Sequence, residues 1–137
     1  MTHLTGQCLC GAVSFKADGD IAFQANCHCR DCQQVTGAAY ATLVFMKSDD
    51  VDITGALGSY SHSVDSGNTL TKQFCGTCGS AMFGLNGARP DSIAIRGGQI
   101  DQQAEVKPQL NVFASGKMDC TILDDSIPAF DKMPTAS

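Results

Sequence analysis

Seven of the eight cysteines fall in three tight clusters: Cys8-Leu9-Cys10, Cys27-His28-Cys29-Arg30-Asp31-Cys32 and Cys75-Gly76-Thr77-Cys78. Sulfurs separated by one or two residues are drawn to a shared point, and a metal ion is the usual reason. Four thiolates close a tetrahedral zinc site, whereas three leave one position open to water or substrate. Seven clustered cysteines therefore predict two Zn²⁺ ions per chain, one that holds the fold and one open to chemistry. A disulfide framework fits poorly. The chain is long for such a scaffold, and cysteines at i,i+2 are poor partners for each other. Met1 to Gly6 has neither the basic nor the apolar region of a secretory signal. The expected setting is a reducing cytoplasm, where thiols stay free for metal. The spacing matches none of the common iron–sulfur runs.

The spacing permits more than one grouping. In the first, Cys8 and Cys10 share a face of an extended segment and join the Cys75/Cys78 knuckle in a closed set of four. Gly76 and Gly79 then let the backbone wrap the ion. Ligands 65 to 70 residues apart would pin the N-terminus to the middle of the chain. Cys27, Cys29 and Cys32 then chelate a second ion with one vacant position. His28 lies between two of these ligands and points the other way. In the second grouping, Cys8, Cys10, Cys27 and Cys29 close one site and leave Cys32, Cys75 and Cys78. A third possibility is a purely structural second zinc completed by His28 or a distant residue.

The surrounding sequence alternates with a period of two. Val13 and Phe15 oppose Ser14 and Lys16, and Ile21, Phe23 and Ala25 repeat the pattern. Tyr40 to Met46 reads as a long, largely buried strand. Leu70–Phe74 runs into the third cluster and Ala81–Leu85 runs out of it, while Ser92–Arg96 and Leu110–Phe113 add two more strands. Turn signals stand at Asp18-Gly19-Asp20, Ser66-Gly67-Asn68, Asn86-Gly87 and Gly97-Gly98. Only Arg30 to Thr36 suggests a short helix. The segment from Asp124 to Ser137 reads as irregular coil. At 137 residues the expectation is an all-β protein forming a single domain over residues 1–137, with its core at about 6–130.

The formal charge of −5 falls to −8 once seven thiolates (−7) hold two divalent ions (+4). Such a surface repels phosphate backbones, and no basic patch offsets it, so nucleic acid is not an expected partner. No stretch approaches the roughly 20 apolar residues of a membrane span, so no membrane association is expected.

Three runs of residues together resemble the glutathione-dependent formaldehyde-activating enzyme family, which shares its domain with centromere protein V. They are Gly6-x-Cys8-x-Cys10-Gly11-x-Val13-x-Phe15; Cys27-His28-Cys29-x-x-Cys32 followed by Gly37; and Phe74-Cys75-x-x-Cys78-Gly79-Ser80 with Phe83. The resemblance runs from about Gly6 to Phe130. It implies a β-tent fold of short antiparallel strands. It also implies the first grouping: structural zinc on Cys8, Cys10, Cys75 and Cys78, and catalytic zinc on Cys27, Cys29 and Cys32. The family's named reaction adds the glutathione thiol to formaldehyde, giving S-hydroxymethylglutathione, and is classed with carbon–sulfur lyases. Toward the C-terminus Asn111 stands where the family often has histidine, and Cys120 where it often has tryptophan.

A small thiol, with glutathione as the family's example, is thus the expected substrate. Glutathione is anionic, and Arg30 and Lys72 are the candidate positive charges for it. His3 and His62 read as surface residues. Tyr60 either reaches a substrate or ends a strand. Cys120 alternates with Ile122 and reads as a small buried hydrophobe. No serine nucleophile elbow, phosphate loop or paired-carboxylate pattern appears. The expected function is a zinc-dependent carbon–sulfur lyase; the alternative is a noncatalytic zinc-stapled binding module. The sequence leaves the oligomeric state and the general base open.

Overall fold

Two β-sheets account for most of the ordered backbone. The computed structural model describes residues 1–134. The smaller sheet joins β1 (Thr2–Gln7), β2 (Ser14–Gly19) and β5 (Val51–Thr54) in the order β1-β2-β5. The larger contains β3 (Ile21–Cys27), β4 (Ala41–Lys47), β6 (Leu57–Ser63), β7 (Thr69–Cys75), β8 (Ala81–Asn86), β9 (Ser92–Arg96) and β10 (Leu110–Val112). Its order is β10-β3-β4-β9-β8-β7-β6. Every pairing is antiparallel except β10 on β3, which is parallel. The one α-helix among the described residues, α1, spans Arg30–Thr36 and closes on Gly37, whose φ of 67° suits a residue without a Cβ.

The alternation read from the sequence decides which face of the large sheet does what. Val44 and Met46 of β4, Ile93 and Ile95 of β9 and Phe83 of β8 point to one side. There they are buried with Leu4 of β1 and Phe15 and Ala17 of β2. This layer is the core between the two sheets, and Phe15 meets Phe83 edge-to-face at 5.6 Å. The intervening residues Leu43, Ala94, Ala25 and Cys27 face the other way, with Phe23 and Phe45 stacked at 4.3 Å. No second sheet covers this outer face; α1 and the segment after β10 lie at its end.

The C-terminal segment is irregular as expected through the described residues, with one parallel bridge between Asn111 and Ala129. Residues 135–137 of that expectation lie outside the described residues. Strands β1, β5 and β6 are additional to those read from the sequence. Cys120 is a correction. It is exposed in irregular chain, and Ile122 is 93% exposed beside it. Alternation over three residues did not make a strand because nothing pairs with this segment.

Candidate metal centre

Cys8 and Cys10 do not sit on an extended strand. They follow β1 in a turn closed by the Gly11 N–H on the Cys8 carbonyl at 3.1 Å. Cys75 ends β7, and Cys78 follows in a knuckle where the Gly79 N–H reaches the Cys75 carbonyl at 2.9 Å. Gly79 takes φ +78°; Gly76 has no such requirement. The four sulfurs all lie within 4.8 Å of one another. Cys10 Sγ is 3.6 Å from Cys8 Sγ and 3.7 Å from Cys75 Sγ. A tetrahedron with Zn–S bonds of about 2.3 Å sets its sulfurs about 3.8 Å apart, whereas a disulfide holds them at about 2.05 Å. The spacing fits a metal, and all eight cysteines are free.

Backbone and hydroxyl donors already surround this set. The Val13 N–H donates to Cys8 Sγ at 3.3 Å, and the Thr77 and Cys78 N–H groups donate to Cys75 Sγ at 3.3 and 3.4 Å. Ser80 Oγ lies 3.2 Å from Cys78 Sγ. The Ser80 hydroxyl and N–H hold the Cys78 thiol down to about 5, which favours the form a cation would bind. Because Cys8 and Cys10 extend the small sheet while Cys75 ends a strand of the large one, an ion here would tie the two sheets together.

The second set lies at the end of the outer face. Cys27 is the last residue of β3, Cys29 caps α1 from an extended conformation, and Cys32 sits in its first turn. Their sulfurs also lie within 4.8 Å of one another. The Cys32 N–H donates to Cys29 Sγ at 3.3 Å, so the cap and the ligand are the same atom. Cys27 and Cys32 donate to Cys29 and hold it down to about 2, against the opposing cost of burial. The same contacts, with burial, push Cys27 up. Cys32 is drawn down by Cys27 and pushed up by the Cys29 thiolate and by burial, with a net rise. The three sulfurs thus compete for protons, and a divalent cation would displace those protons on binding. Cys27 and Cys32 are buried and Cys29 is half-buried, so the trio has an accessible side.

The structure therefore brings Cys8 and Cys10 together with Cys75 and Cys78 and leaves Cys27, Cys29 and Cys32 as the second set, the first of the groupings that the spacing permits. The family model for the glutathione-dependent formaldehyde-activating enzyme matches residues 3–116. The chain belongs to this family. Its fold is similar to the crystal structure of a Rhodobacter sphaeroides protein, with a TM-score of 0.59 and 21% identity over 92% of this chain and 99% of that one. The family is associated with enzymatic formaldehyde activation, and both sulfur sets lie within the matched residues.

His28 is not among the residues whose donor atoms cluster with either sulfur set. It is buried, and its Nε2 lies 3.0 Å from Asn111 Oδ1. Asn111 Nδ2 donates to the Asp124 carbonyl at 3.3 Å, which leaves Oδ1 as acceptor and makes His28 Nε2 the donor. His28 Nδ1 is buried without a partner, and the Tyr40 ring lies 4.8 Å from the imidazole. Asn111 alternates with Val112, whose strand partner is Cys27, so this family departure faces His28 rather than the sulfurs. Gln33 Nε2 donates to the carbonyls of His28 and Gly116, both at 2.9 Å. It clamps the segment after β10 against the cluster.

The other expected residues divide. Lys72 is half-buried, and its charge acts on Cys29. Arg30 is exposed and donates to Gln33 Oε1 at 3.2 Å. His3 is exposed and pairs with Asp18; Tyr60 is 65% exposed and stacks on half-buried His62. Arg96 was missed. It is buried at the end of β9 and its charge acts on Cys32. A terminal arginine on an alternating strand looks like a solvated charge, and only the sheet order places it inside. Among the described residues no helix is long and apolar enough to cross a membrane.

Proposed function

We propose that this protein is a zinc-dependent carbon–sulfur lyase acting on a small thiol–aldehyde adduct, as in the joining of glutathione and formaldehyde. In this reading Cys8, Cys10, Cys75 and Cys78 hold a structural zinc, and Cys27, Cys29 and Cys32 hold the catalytic one. The observation that carries it is the unequal division of the sulfurs. One set has the four donors zinc requires and links two sheets. The other has three, one of them half-buried, on a face that no second sheet covers. Family membership supports the same chemistry.

A zinc ion on the trio would supply Lewis acidity and stabilise a thiolate at neutral pH. The chain's own residues supply the rest. Cys29 is held by the first turn of α1, Cys27 by the β3–β4 and β3–β10 pairings, and Gln33 fixes the loop between them. The donor set is thus rigid before substrate arrives. Phe23 and Phe45 and the apolar side chains around them line the neighbouring face. In the forward direction the substrate's sulfur bonds to the carbonyl carbon as the C=O π bond opens, and the thiol proton ends on the former carbonyl oxygen. The substrate's own sulfur is the nucleophile.

The test is adduct formation followed by NMR with glutathione and formaldehyde, comparing the zinc-loaded protein with Cys29→Ser. The native protein should raise the rate above the uncatalysed reaction, and the variant should not. Equal rates for buffer, native protein and variant, repeated across other small thiols, would leave the noncatalytic binding module as the correct reading.

A further inference from the structure

Arg96 is 7% exposed, and its Nε and Nη1 atoms are buried without a hydrogen-bond partner. The ion pairs among the described residues are Met1 with Asp20 and His3 with Asp18, so no carboxylate of the described residues comes within 4.0 Å of Arg96 or Lys72. A guanidinium out of water without an anion is unfavourable. Such a group in a settled fold points to a charge that arrives from outside.

The strand register shows where it would arrive. Lys72 of β7 lies opposite Gly84 of β8, and Gly84 lies opposite Ala94 of β9. Arg96 is two residues further along β9 and so shares the face of Ala94. Its strand partner is Leu43, whose own partner is Ala25, two residues before Cys27 on that face of β3. A Cβ built on Gly84 would sit 3.7 Å from Arg96 Nη2. The guanidinium therefore lies beside the bare backbone of Gly84, with Lys72 on the neighbouring strand. The fields of these two cations reach different members of one cluster, Arg96 at Cys32 and Lys72 at Cys29.

Charge counting separates the two roles these cations can have. Three thiolates around one divalent ion leave a single net negative charge, and two cations face it. One positive charge remains uncompensated. A thiol bound as thiolate places its charge at the metal, whereas a thiol that also carries a carboxylate brings a second anion that could pair with the unpartnered guanidinium itself.

We infer that Arg96 and Lys72, set beside Gly84 on the outer face of the large sheet, form an anion site that holds a carboxylate of the thiol substrate. The inference rests on the thiol-handling role proposed for the Cys27/Cys29/Cys32 centre and adds to it a selectivity for anionic thiols. The planar guanidinium and the mobile ammonium both suit a carboxylate. Arg96 is the positioning element, rigid on its strand, and Lys72 closes from the half-exposed side.

The test compares mercaptopropionate with mercaptopropanol, thiols of the same carbon count that differ in charge. Two readouts separate the anion site from the metal centre. In zinc-loaded protein with isotope-labelled arginine, the Arg96 Nε–H resonance reports the carboxylate. In cobalt-substituted protein, the visible d–d bands report a thiol at the metal. Mercaptopropionate should bind about tenfold or more tightly than mercaptopropanol, and only mercaptopropionate should shift the Nε–H signal. Arg96→Gln and Lys72→Gln should each bring the affinity ratio toward one, and Arg96→Lys should restore part of it. Lys72→Gln alters a half-exposed residue, so it remains informative if Arg96→Gln fails to fold. Equal affinities in the native protein, or a ratio unchanged in the variants, overturns the anion site. Equal cobalt responses to both thiols with a still Nε–H signal would leave the thiol reading standing without it. An Nε–H response without any change in the cobalt bands would do the reverse, and silence in both removes both.

Discussion

Cys29 shows how much one side chain can be asked to do. Its sulfur caps α1 by accepting the Cys32 N–H, and the neighbouring thiols and that amide favour its ionised form. Serine preserves the cap, because a hydroxyl at this position is among the best acceptors of an N-terminal amide. Its weaker affinity for zinc removes the ligand, which is why Cys29→Ser is the variant that separates metal chemistry from folding. Asn111 poses the opposite case. Its amide oxygen is the one partner found for the His28 ring, whose Nδ1 is unpartnered. Asn111→Ala would leave a buried imidazole with neither nitrogen satisfied, at a cost of about 1–3 kcal/mol. Because Asn111 faces away from the sulfurs, the metal content should stay at that of the native protein. Urea unfolding monitored by circular dichroism, with metal analysis on the same sample, checks both halves. A drop in zinc without a drop in stability would place Asn111 in the metal's environment instead.

At the scale of elements, the Cys8/Cys10 turn and the Cys75/Cys78 knuckle join two sheets that also meet through side-chain packing. Zinc bound at such a site contributes on the order of 10 kcal/mol to folding, comparable to the whole stability of a domain. Cys75→Ser should therefore abolish cooperative thermal unfolding, while Cys29→Ser keeps a sigmoidal transition. Far-UV circular dichroism melts of the two variants under reducing conditions make the comparison. An unfolded Cys29→Ser would show that the trio, too, holds the fold. The elements that carry these ligands were legible beforehand. Ser92 to Arg96 and the strands flanking Cys75 and Cys78 follow from period-two alternation and turn residues, because their apolar faces are buried and selection for burial leaves a pattern, while Arg30 to Thr36 reads as the one short helix. Strands β1, β5 and β6 left little. β1 buries only Leu4 and Gly6, and β6, Leu57–Ser63, buries none of its residues, so neither needs a run of apolar alternation. Cys120 failed for the complementary reason, since alternation without a pairing neighbour is chance. Arg96 was invisible because its burial depends on strand order, a property of the whole sheet.

For the molecule as a whole, the two sulfur sets predict an order of metal loss. A closed set of four surrounded by backbone donors and fixed to two sheets must break several contacts before it releases an ion. The trio has three sulfurs and a half-buried Cys29, so a chelator reaches it without moving either sheet. Titration with a chelator should release zinc in two steps. The first ion should leave with the β-sheet circular dichroism unchanged, and the second should coincide with its cooperative loss. Acid should act in the same direction, since each thiolate that takes up a proton is lost as a ligand and affinity falls as pH falls. A colorimetric zinc indicator read alongside the dichroism records both events on one sample. A single step that releases both ions as the protein unfolds would mean that the trio is as much a part of the fold as the set of four. The accessible side of Cys29 would then be a surface feature and not an entrance. Two separated steps would place folding and chemistry on different ions, which is the physical condition for a small protein to keep a reactive centre open without risking its own structure.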